Sequence, residues 1–280
     1  IEKIIEKTPL IYAVENKDIE LVNLLLSCPK IDVNLSDKEI GSSSYLFNDE
    51  TIEATPLFYA VENDNIAIVK LLLANENIDV NLPKTHTKII KVEEETPLIQ
   101  AIRNKNIEIV KLLLSCQNID INKQSVEVTY YDYGGSCFLE STRIVTPFYL
   151  SAFSYENYDI MNLLMSNKNL DLNVKTVSTR TYYNKFEKGR ESSISIWEDP
   201  LIMTSIEYKK IQLFELFSSL PNFDIDCQGI VHEKWKEGIV FKSETEVYQT
   251  LLSCAVEYNN VDFVKRLLTF KNIDVNALVY

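Results

Sequence analysis

Six segments of the chain carry apolar residues at the spacing of an amphipathic helix. In the first of them, Ile19, Val22, Leu25 and Leu26 stand at positions i, i+3, i+6 and i+7. This spacing places the four side chains on one face of a helix, which predicts that the face is buried. The same pattern predicts six short helices, at Ile19–Leu26, Ile66–Leu73, Ile107–Leu114, Ile160–Met165, Ile211–Phe217 and Val261–Leu268.

A second set of helices is predicted by a recurring Thr-Pro-Leu motif that precedes each of these segments. Thr, or Asp199 in the fifth copy, supplies an N-cap oxygen, and Pro suits the first helical position because its missing N–H has no partner there. We therefore predict a helix at Pro9–Glu15, with Asp18 capping the helix that follows, and an equivalent helix after each further copy of the motif. The copies begin at Thr8, Thr55, Thr96, Thr146, Asp199 and Thr250, and the last has lost its proline.

Asparagine marks the turns and the end of each unit. Asn16, Asn63, Asn104, Asn157 and Asn259 lie in the turns between paired helices, and Asn tolerates left-handed backbone. Each unit closes with Asp-Val-Asn or a variant of it. The repeat units predicted on these signals are 8–34, 55–81, 96–122, 146–173, 199–226 and 250–276.

This combination of motifs resembles the ankyrin repeat. The resemblance covers essentially the whole chain, although the usual His after Thr-Pro-Leu and the usual Gly between the helices are absent. It implies an all-α ankyrin-repeat solenoid of about six helix pairs with long β-hairpin finger insertions, forming a single domain over residues 1–280. No helix pair buries its apolar face alone, so stacking is expected to create one elongated core.

The segments between units are longer than the ~33 residues of an ordinary repeat allow. Three of them read as long hairpins, in which β-prone arms flank Gly134-Gly135, Lys188-Gly189 and Glu237-Gly238. The first, with Gly41 followed by three serines, reads as a flexible loop. The finger insertions are 35–54, 82–95, 123–145, 174–198 and 227–249, and all six glycines lie in them.

Composition excludes several functional classes. The chain has only 6 Gly and contains neither of the phosphate-binding motifs G-x-G-x-x-G and G-x-x-x-x-G-K-[ST]. Their absence disfavours the nucleotide-binding folds that depend on such loops. A net charge of −13 disfavours binding to nucleic acid and to anionic membrane surfaces. The 5 cysteines form no C-x-x-C pair, and their odd number favours a reducing, intracellular location, which predicts the cytoplasm.

The candidate partner-binding residues lie on two surfaces. The fingers hold both tryptophans and many tyrosines, and aromatic residues dominate interface hot spots. The alternative is that neighbouring hairpins pack on one another and bury these aromatics in a β-layer. The second surface is the face of the short helices that lines the concavity. The candidates are Tyr12, Tyr59, Arg103, Tyr130, Tyr131, Tyr133, Tyr183, Trp197 and Trp235.

The sequence contains no recognisable catalytic constellation. The two histidines, His86 and His232, lie in different fingers, so neither forms a metal site of ordinary spacing. A nucleophilic Cys137 needs a base within hydrogen-bond reach, which an elongated repeat does not supply from a remote finger. We expect no catalytic residue, no metal and no cofactor.

The prediction is a non-catalytic protein-binding scaffold or adaptor that uses its concave face and its fingers. Its partner is a protein of unknown identity, and neither nucleic acid nor membrane is expected. Two alternatives stay open: a regulatory or targeting segment of a larger enzyme, and a structural module that self-associates through its fingers. The first residues form half a finger without an initiator Met, which is compatible with a piece of a longer array.

Overall fold

The computed structural model describes residues 4–43, 48–88, 91–132, 137–184, 190–220, 224–237 and 240–277. The chain forms two compact units, Ile1–Glu127 with Val145–Leu170, and Val128–Ile144 with Asp171–Tyr280. In the described residues, four helix pairs and a five-stranded sheet belong to the first unit. Two helix pairs and a six-stranded sheet, apart from the ends of its first two strands, belong to the second.

Each described repeat is a pair of short helices. The first unit holds α1 (Pro9–Glu15), α2 (Ile19–Leu26), α3 (Pro56–Glu62), α4 (Ile66–Leu73), α5 (Pro97–Arg103), α6 (Ile107–Leu114), α7 (Pro147–Tyr149) with a π-helical turn (Leu150–Ser154), and α8 (Tyr158–Met165). The second unit holds α9 (Leu201–Glu207), α10 (Ile211–Ser218), α11 (Leu251–Glu257) and α12 (Val261–Leu267). The predicted helix pairs are confirmed, and α2, α4 and α6 have the predicted ends.

The Thr-Pro start of each first helix also forms as predicted. The hydroxyl oxygens of Thr8, Thr55, Thr96 and Thr146 accept a hydrogen bond from the backbone N–H three residues ahead, at 3.1–3.3 Å. In the sixth repeat Thr250 has no proline after it, and a reciprocal capping box with Ser253 takes its place. Local sequence therefore fixes where these helices begin.

The fifth repeat departs from the prediction by one residue. Pro200 occupies the cap position, with φ −58° and ψ 147°, and Leu201 is the first helical residue. The prediction that Asp199 caps this helix is wrong, because the shift moves its carboxylate away from the first turn and no side chain caps the helix. Pro200 and Leu201 therefore occupy the positions that Thr250 and Leu251 occupy in the sixth repeat.

The fourth repeat accommodates one additional residue in its first helix. The N–H of Tyr155 donates to the Leu150 carbonyl, five residues back, at 2.9 Å, which is the bond of a π-helical turn. The next bond joins the Asn157 N–H to the Ser151 carbonyl, six residues back. In the second repeat the equivalent bond, from the Asn65 N–H to the Ala60 carbonyl, spans only five residues. The insertion bulges the helix and leaves α8 in place.

The turns between paired helices use left-handed backbone, but mostly not at asparagine. Asn16, Asn63 and Asn104 are helix C-caps with negative φ, and Asn157 caps the start of α8. The predicted left-handed asparagines are therefore wrong, except at Asn259. Positive φ occurs at Lys17, Asp64, Lys105, Glu156, Lys209 and Asn259.

A ladder of asparagine side chains joins successive repeats. The Asn34 amide donates to the Asn77 carbonyl at 2.7 Å, and its Oδ1 accepts from Asp79 N–H at 2.9 Å. Asn81 forms the same two bonds with Asn118 and Asp120, at 2.7 and 2.8 Å. One asparagine amide thus bonds both a carbonyl and an N–H of the next repeat, and we call this pair of bonds a rung of the ladder. Because the two bonds come from a single side chain, each rung fixes the spacing of two repeats.

The aspartate of each Asp-Val-Asn motif orients the rung. Its carboxylate accepts the N–H of the residue two positions ahead in all six repeats, at 2.9–3.0 Å. This Asx turn holds the asparagine backbone so that its amide faces the neighbouring repeat.

The fifth repeat carries Asp226 where the other repeats carry the ladder asparagine. A carboxylate accepts hydrogen bonds but has no N–H to donate to the next repeat. A pocket of about 180 Å³ lies beside Asp226, lined also by Gln228, Thr250, Asp274 and Ala277. The join between the last two repeats therefore lacks one bond of the rung.

The core of each unit lies between neighbouring helix pairs. Leu10, Leu57 and Leu98 occupy the same position in three repeats and are almost completely buried. Ala13 and Ala60 follow on the buried side of α1 and α3, where a small side chain lets the helices approach closely.

The fingers form two antiparallel sheets. The five-stranded sheet has the order β1-β2-β3-β4-β5, and the six-stranded sheet the order β11-β10-β9-β8-β7-β6. The strands are β1 (Ile4–Glu6), β2 (Lys38–Ser43), β3 (Asn48–Glu53), β4 (Lys84–Lys88), β5 (Lys91–Glu95), β6 (Ser125–Asp132), β7 (Cys137–Val145), β8 (Lys175–Asn184), β9 (Arg190–Pro200), β10 (Gln228–Glu237) and β11 (Val240–Thr250).

The all-α description is not confirmed, because the fingers pair with one another. Within each sheet, the second strand of one finger is hydrogen-bonded to the first strand of the next finger, as β3 is to β4 and β9 is to β10. Pairing removes the open edges that isolated hairpins would expose. The solenoid of helix pairs is thus flanked by β-sheet in each unit.

The three long hairpins are confirmed along their arms, and the prediction for the first finger is wrong. Its strands β2 and β3 pair from Glu39 with Ile52 to Ser43 with Asn48, so they form a hairpin instead of a loop. Pairing to β1 and β4 on either side offsets the weak strand propensity of the Gly-Ser segment. The predicted turns at Gly134-Gly135, Lys188-Gly189 and Gly238 lie outside the described residues.

A half-buried carboxylate, that of Asp199, marks the base of the fourth finger. Burial raises the pKa of Asp199 from 3.8 to about 6, Glu207 adds to the rise, and Lys175 opposes it. A Cβ at Gly229 would lie 2.4 Å from Asp199 Oδ1 and 2.9 Å from the Met203 sulfur. Close packing therefore requires glycine at position 229.

The ladder predicts opposite effects for two reciprocal substitutions. Asp226→Asn restores the missing donor, and we expect the free energy of unfolding to rise by about 1 kcal/mol. Asn81→Asp removes a donor and places a carboxylate beside the Asn118 carbonyl, and we expect a loss of about 2 kcal/mol. Urea unfolding followed by helical circular dichroism measures both.

Asn276→Asp is the matched control, since it makes the same chemical change at an exposed position of the sixth repeat, and we expect it to leave the free energy of unfolding unchanged. A neutral Asn81→Asp, or a destabilising Asp226→Asn, would contradict the role given to the ladder.

Asp199 predicts a pH-dependent stability difference. Because its pKa is raised to about 6 in the folded protein, it stabilises the fold below about pH 4 and loses that contribution as the pH rises to 6. We expect Asp199→Asn to raise the free energy of unfolding by up to about 2 kcal/mol at pH 7.5, which thermal melting detects as a higher melting temperature. At pH 4 the substitution should change the melting temperature little. The exposed Asp262→Asn serves as control; an equal gain for Asp199→Asn at both pH values would refute the assignment.

Candidate functional site

In the first, third and sixth repeats, a side chain at the base of a finger contacts a side chain at the end of the first helix. Lys7 stands just before a cap residue, and its ammonium contacts Glu15 in the last turn of α1 at 2.6 Å. Glu95 holds the same position before Thr96 and forms an ion pair with Arg103 at the end of α5. Gln249 likewise donates to Glu257. In each of these three pairs the partners are eight residues apart, and the contact holds the finger base against the helix that follows it.

Arg103 is therefore largely committed within the first unit. Besides Glu95, its guanidinium donates to the Tyr155 hydroxyl of the next repeat at 3.0 Å. Burial raises the pKa of Glu95, and Arg103 opposes that rise. The predicted partner-binding Arg103 thus acts first as a bridge between repeats, and its half-buried side chain offers limited surface to a partner.

Tyr12 and Tyr59 occupy the same position in the first two repeats but differ in exposure. Tyr12 is 52% exposed, so it remains available at the surface. Tyr59 is 9% exposed, and its hydroxyl donates to the buried carboxylate of Asp37 at 2.6 Å. The second oxygen of Asp37 accepts from the Ala54 N–H. Its bond to Asp37 withdraws Tyr59 from the predicted surface, and the residue braces the first finger instead.

Lys7 completes this polar cluster. Its ammonium lies 5.6 Å from the centre of the Tyr59 ring and 3.6 Å from Glu39. Burial alone would lower the pKa of Lys7, but Glu15 and the neighbouring carboxylates outweigh that effect and raise it. Burial, with the bond to Asp37, also raises the pKa of Tyr59. Lys7 therefore stays charged and Tyr59 stays neutral around pH 7.

Trp197 lies on β9, between β8 and β10, in the interior of the six-stranded sheet. Its neighbours across the strands are Ser178 and Val231. The guanidinium of Arg180 lies 4.9 Å from the centre of the indole ring, within the range of a cation–π contact. Trp197 is half-buried and Arg180 is exposed, so the pair presents an aromatic surface with a positive charge beside it.

The backbone register places a second candidate on the same face of this sheet. Residues opposite one another, or two positions apart, share a face. Trp197 pairs with Val231, and Trp235 stands four pairs further along β10, opposite Ser193. Both tryptophans therefore belong to one face, which we call the tryptophan face and define by Arg180, Trp197 and Trp235.

The remaining finger candidates are placed only by their strands. Tyr130 and Tyr131 belong to β6, and Tyr183 on β8 pairs with Phe138. Tyr133 lies outside the described residues. The five-stranded sheet therefore contains none of the predicted finger residues.

Cys227 and Cys254 have thiols unsuited to nucleophilic chemistry. Burial raises the pKa of Cys227 to about 12, with Asp224 and Asp226 adding to the rise, and burial raises that of Cys254 to about 12. Both shifts are opposite to those of reactive thiols. His86 lies 3.5 Å from Glu93, its neighbour across β4 and β5.

The described residues contain neither a candidate metal cluster nor a helix that could span a membrane. No group of three or more His, Cys, Asp or Glu in the described ranges could hold a metal ion. No helix in the same part of the chain is long and apolar enough to cross a membrane.

Sequence reasoning missed the residues that support the site. Asp37 gave no signal, because a single Asp in a predicted loop is indistinguishable from a solvated one. Arg180 became relevant only through strand register, which the sequence did not fix. The Lys7–Glu15 and Glu95–Arg103 pairs did have a signal in the sequence. In each pair a charged residue directly precedes the cap threonine, and a residue of opposite charge follows eight positions later.

Comparison with models of known families matches three parts of the chain. A model of three ankyrin repeats matches residues 40–125, and single-repeat ankyrin models match residues 6–38 and 247–277. No curated protein matches the chain. Residues 126–246, outside these matches, contain the repeat with the π-helical turn and the repeat with the shifted cap, and both still fold as helix pairs.

The matched segments together cover more than half of the chain, and the structure shows the helix pair and the turn at its closing aspartate in all six repeats. The chain therefore belongs to the ankyrin repeat family.

Proposed function

We propose that this protein is a non-catalytic scaffold or adaptor that binds a protein partner through its fingers and the exposed part of its short-helix face. Ankyrin repeats generally mediate protein–protein interaction, which supports the general class. The tryptophan face supports the finer assignment.

The observation that carries the proposal is the contact between Trp197 and Arg180. Trp and Arg are the residues most enriched among interface hot spots, and here they meet on a single surface. Because β9 is hydrogen-bonded on both sides, the indole is held by a preformed backbone. A fixed aromatic side chain loses little conformational entropy on binding.

The short-helix face contributes less than its sequence suggests. Glu62 pairs with Lys84 at 2.9 Å, and Arg103 pairs with Glu95 and Tyr155. Tyr12 is the exposed member of this surface among the three candidates predicted there. We assign the principal contact to the tryptophan face and a secondary contact to Tyr12.

The same proposal includes a non-catalytic role inside the cell. The raised thiol pKa values of Cys227 and Cys254 give them little nucleophilic character at neutral pH. The free thiols of Cys28, Cys116, Cys227 and Cys254 suit a reducing compartment.

The tryptophan face predicts which substitutions weaken binding. A partner is first isolated on the immobilised full chain, identified, and purified, and its dissociation constant is then measured by calorimetry. We expect Trp197→Ala, Arg180→Ala and Trp235→Ala each to weaken binding by about tenfold or more, because each removes part of one hot spot. Melting temperatures should stay within a few degrees of that of the unsubstituted protein.

Tyr158→Ala is the matched control, because Tyr158 is an exposed aromatic on α8 outside the fingers. Two results would overturn the assignment: unchanged affinity in all three variants, or a collapse of the fold in Trp197→Ala or Trp235→Ala, which would make that tryptophan a core residue.

A further inference from the structure

Short polar side chains flank Arg180 and Trp197 on the tryptophan face. Arg180 lies opposite Ser141 on β7 and opposite Ser195 on β9. Trp197 lies opposite Ser178 on β8. Residues directly opposite one another in an antiparallel pair share a face of the sheet. The two large side chains therefore have small neighbours beside them, and the serine hydroxyls offer hydrogen bonds to a ligand placed there.

Arg180 differs from the other arginines whose side chains are described. Arg103 and Arg266 each lie within ion-pair distance of a glutamate, and Arg143 also has an interaction within the chain. Arg180 contacts the ring of Trp197 and, among the described residues, no carboxylate. The chain carries 41 acidic residues against 28 basic ones, so an exposed arginine without an acidic partner is an exception in it.

The contact with the indole orients the guanidinium without consuming its donors. The attraction acts through the π face of the Trp197 ring, whose centre lies 4.9 Å from the guanidinium carbon. The five N–H donors of the guanidinium form a planar fork that matches the two oxygens of a carboxylate. Because Arg180 is exposed, this fork is accessible to a partner.

We propose that the tryptophan face binds a carboxylate side chain of an acidic protein segment at Arg180, while an apolar residue of the same segment packs on Trp197. This inference rests on the proposed function, because it names the chemistry of the partner at the same surface. The complementarity is one of charge: the guanidinium carries a single positive charge, and a carboxylate carries a single negative one.

The nearest lysines along the neighbouring strands do not add to the charge of this face. Lys175 lies five residues before Arg180 on β8, and Lys234 is adjacent to Trp235 on β10. Alternate residues of a strand share a face, so both lysines belong to the opposite face of the sheet. A phosphate carries about −1.5 to −2 charges and is typically bound by a cluster of arginines. The single charge of Arg180 therefore favours a carboxylate over a phosphate.

The offset between the two anchors predicts the pattern of the partner segment. Arg180 lies opposite Ser195, which is two residues before Trp197, so the two anchors are diagonal neighbours. Diagonal neighbours on adjacent strands are roughly 7–8 Å apart. In an extended chain, residues two positions apart are separated by roughly 6.6 Å. An extended segment with an acidic residue and an apolar residue two positions apart therefore places one side chain at each anchor.

Nuclear magnetic resonance titration of the full chain with defined peptides tests the proposal. The chain has 2 Trp, so isotope labelling of tryptophan gives two indole N–H signals, and Trp235→Phe identifies that of Trp197. The probe is Ser-Ser-Glu-Ser-Leu-Ser with blocked ends, added up to millimolar concentration. Two reference peptides replace its glutamate with glutamine or with phosphoserine.

We expect the glutamate peptide to shift the Trp197 signal and to bind about tenfold more tightly than the glutamine peptide, because its carboxylate is the acceptor for two guanidinium N–H groups. The net charge of −13 acting alone would give the opposite order. At physiological ionic strength that long-range repulsion is screened beyond about 8 Å, so the local contact decides.

Substitutions at Arg180 separate the carboxylate contact from general binding. Arg180→Gln should bind the glutamate and glutamine peptides equally. Arg180→Lys keeps the charge but loses the planar fork, and it should retain only part of the preference. Arg266→Gln is the matched control, because it makes the same charge change on α12, and it should keep the full preference. Circular dichroism checks that each variant is folded.

Three results would overturn the proposal: no binding of the glutamate peptide, equal binding of the glutamate and glutamine peptides to the unsubstituted protein, or tighter binding of the phosphoserine peptide. The proposed function is tested separately with the isolated partner. If Trp197→Ala weakens binding of that partner while the peptides show no preference, the tryptophan face remains the binding surface and only its acidic partner is refuted. If Trp197→Ala leaves the affinity for that partner unchanged, the proposed function itself fails.

Discussion

The asparagine rung between repeats is the interaction on which the rest of the structure depends. One side-chain amide bonds a carbonyl and an N–H of the next repeat, as Asn34 does with Asn77 and Asp79. Apolar burial drives stacking but does not direct it, whereas two hydrogen bonds from a single amide fix position and orientation. The Asx turn before each rung holds that amide in place. In the first unit, Asn34 and Asn81 join the first three repeats through the same two hydrogen bonds, although the segments between those repeats differ in length.

Because the frame is fixed in this way, the fingers are free to differ. Their length and sequence change from repeat to repeat, yet within each sheet the second strand of one finger pairs with the first strand of the next. Ion pairs such as Lys7–Glu15 fasten finger bases to the helices. The tryptophan face is thus carried by a sheet whose position is set elsewhere, which suits a binding surface that must be preformed.

The sequence predicted the helical frame well because its signals are local. A cap such as Thr55 and the apolar spacing of Ile66–Leu73 depend on residues within a few positions. It failed where the outcome depends on distant neighbours. The first finger is a hairpin because β1 and β4 flank it, and Tyr59 is buried because Asp37 reaches its hydroxyl. The one-residue shift at Pro200 and the additional residue before Asn157 preserve the apolar pattern, so spacing alone did not reveal them.

Native-state hydrogen exchange at the ladder tests the central claim most directly. The N–H groups of Asp79 and Asp120 lie in loops, where amides ordinarily exchange fast, but each donates to a ladder asparagine at 2.8–2.9 Å. If the ladder joins the repeats, both amides exchange as slowly as those of the buried helices, because they open only when two repeats separate. Exchange of both amides at the rate of an unprotected loop would contradict the account.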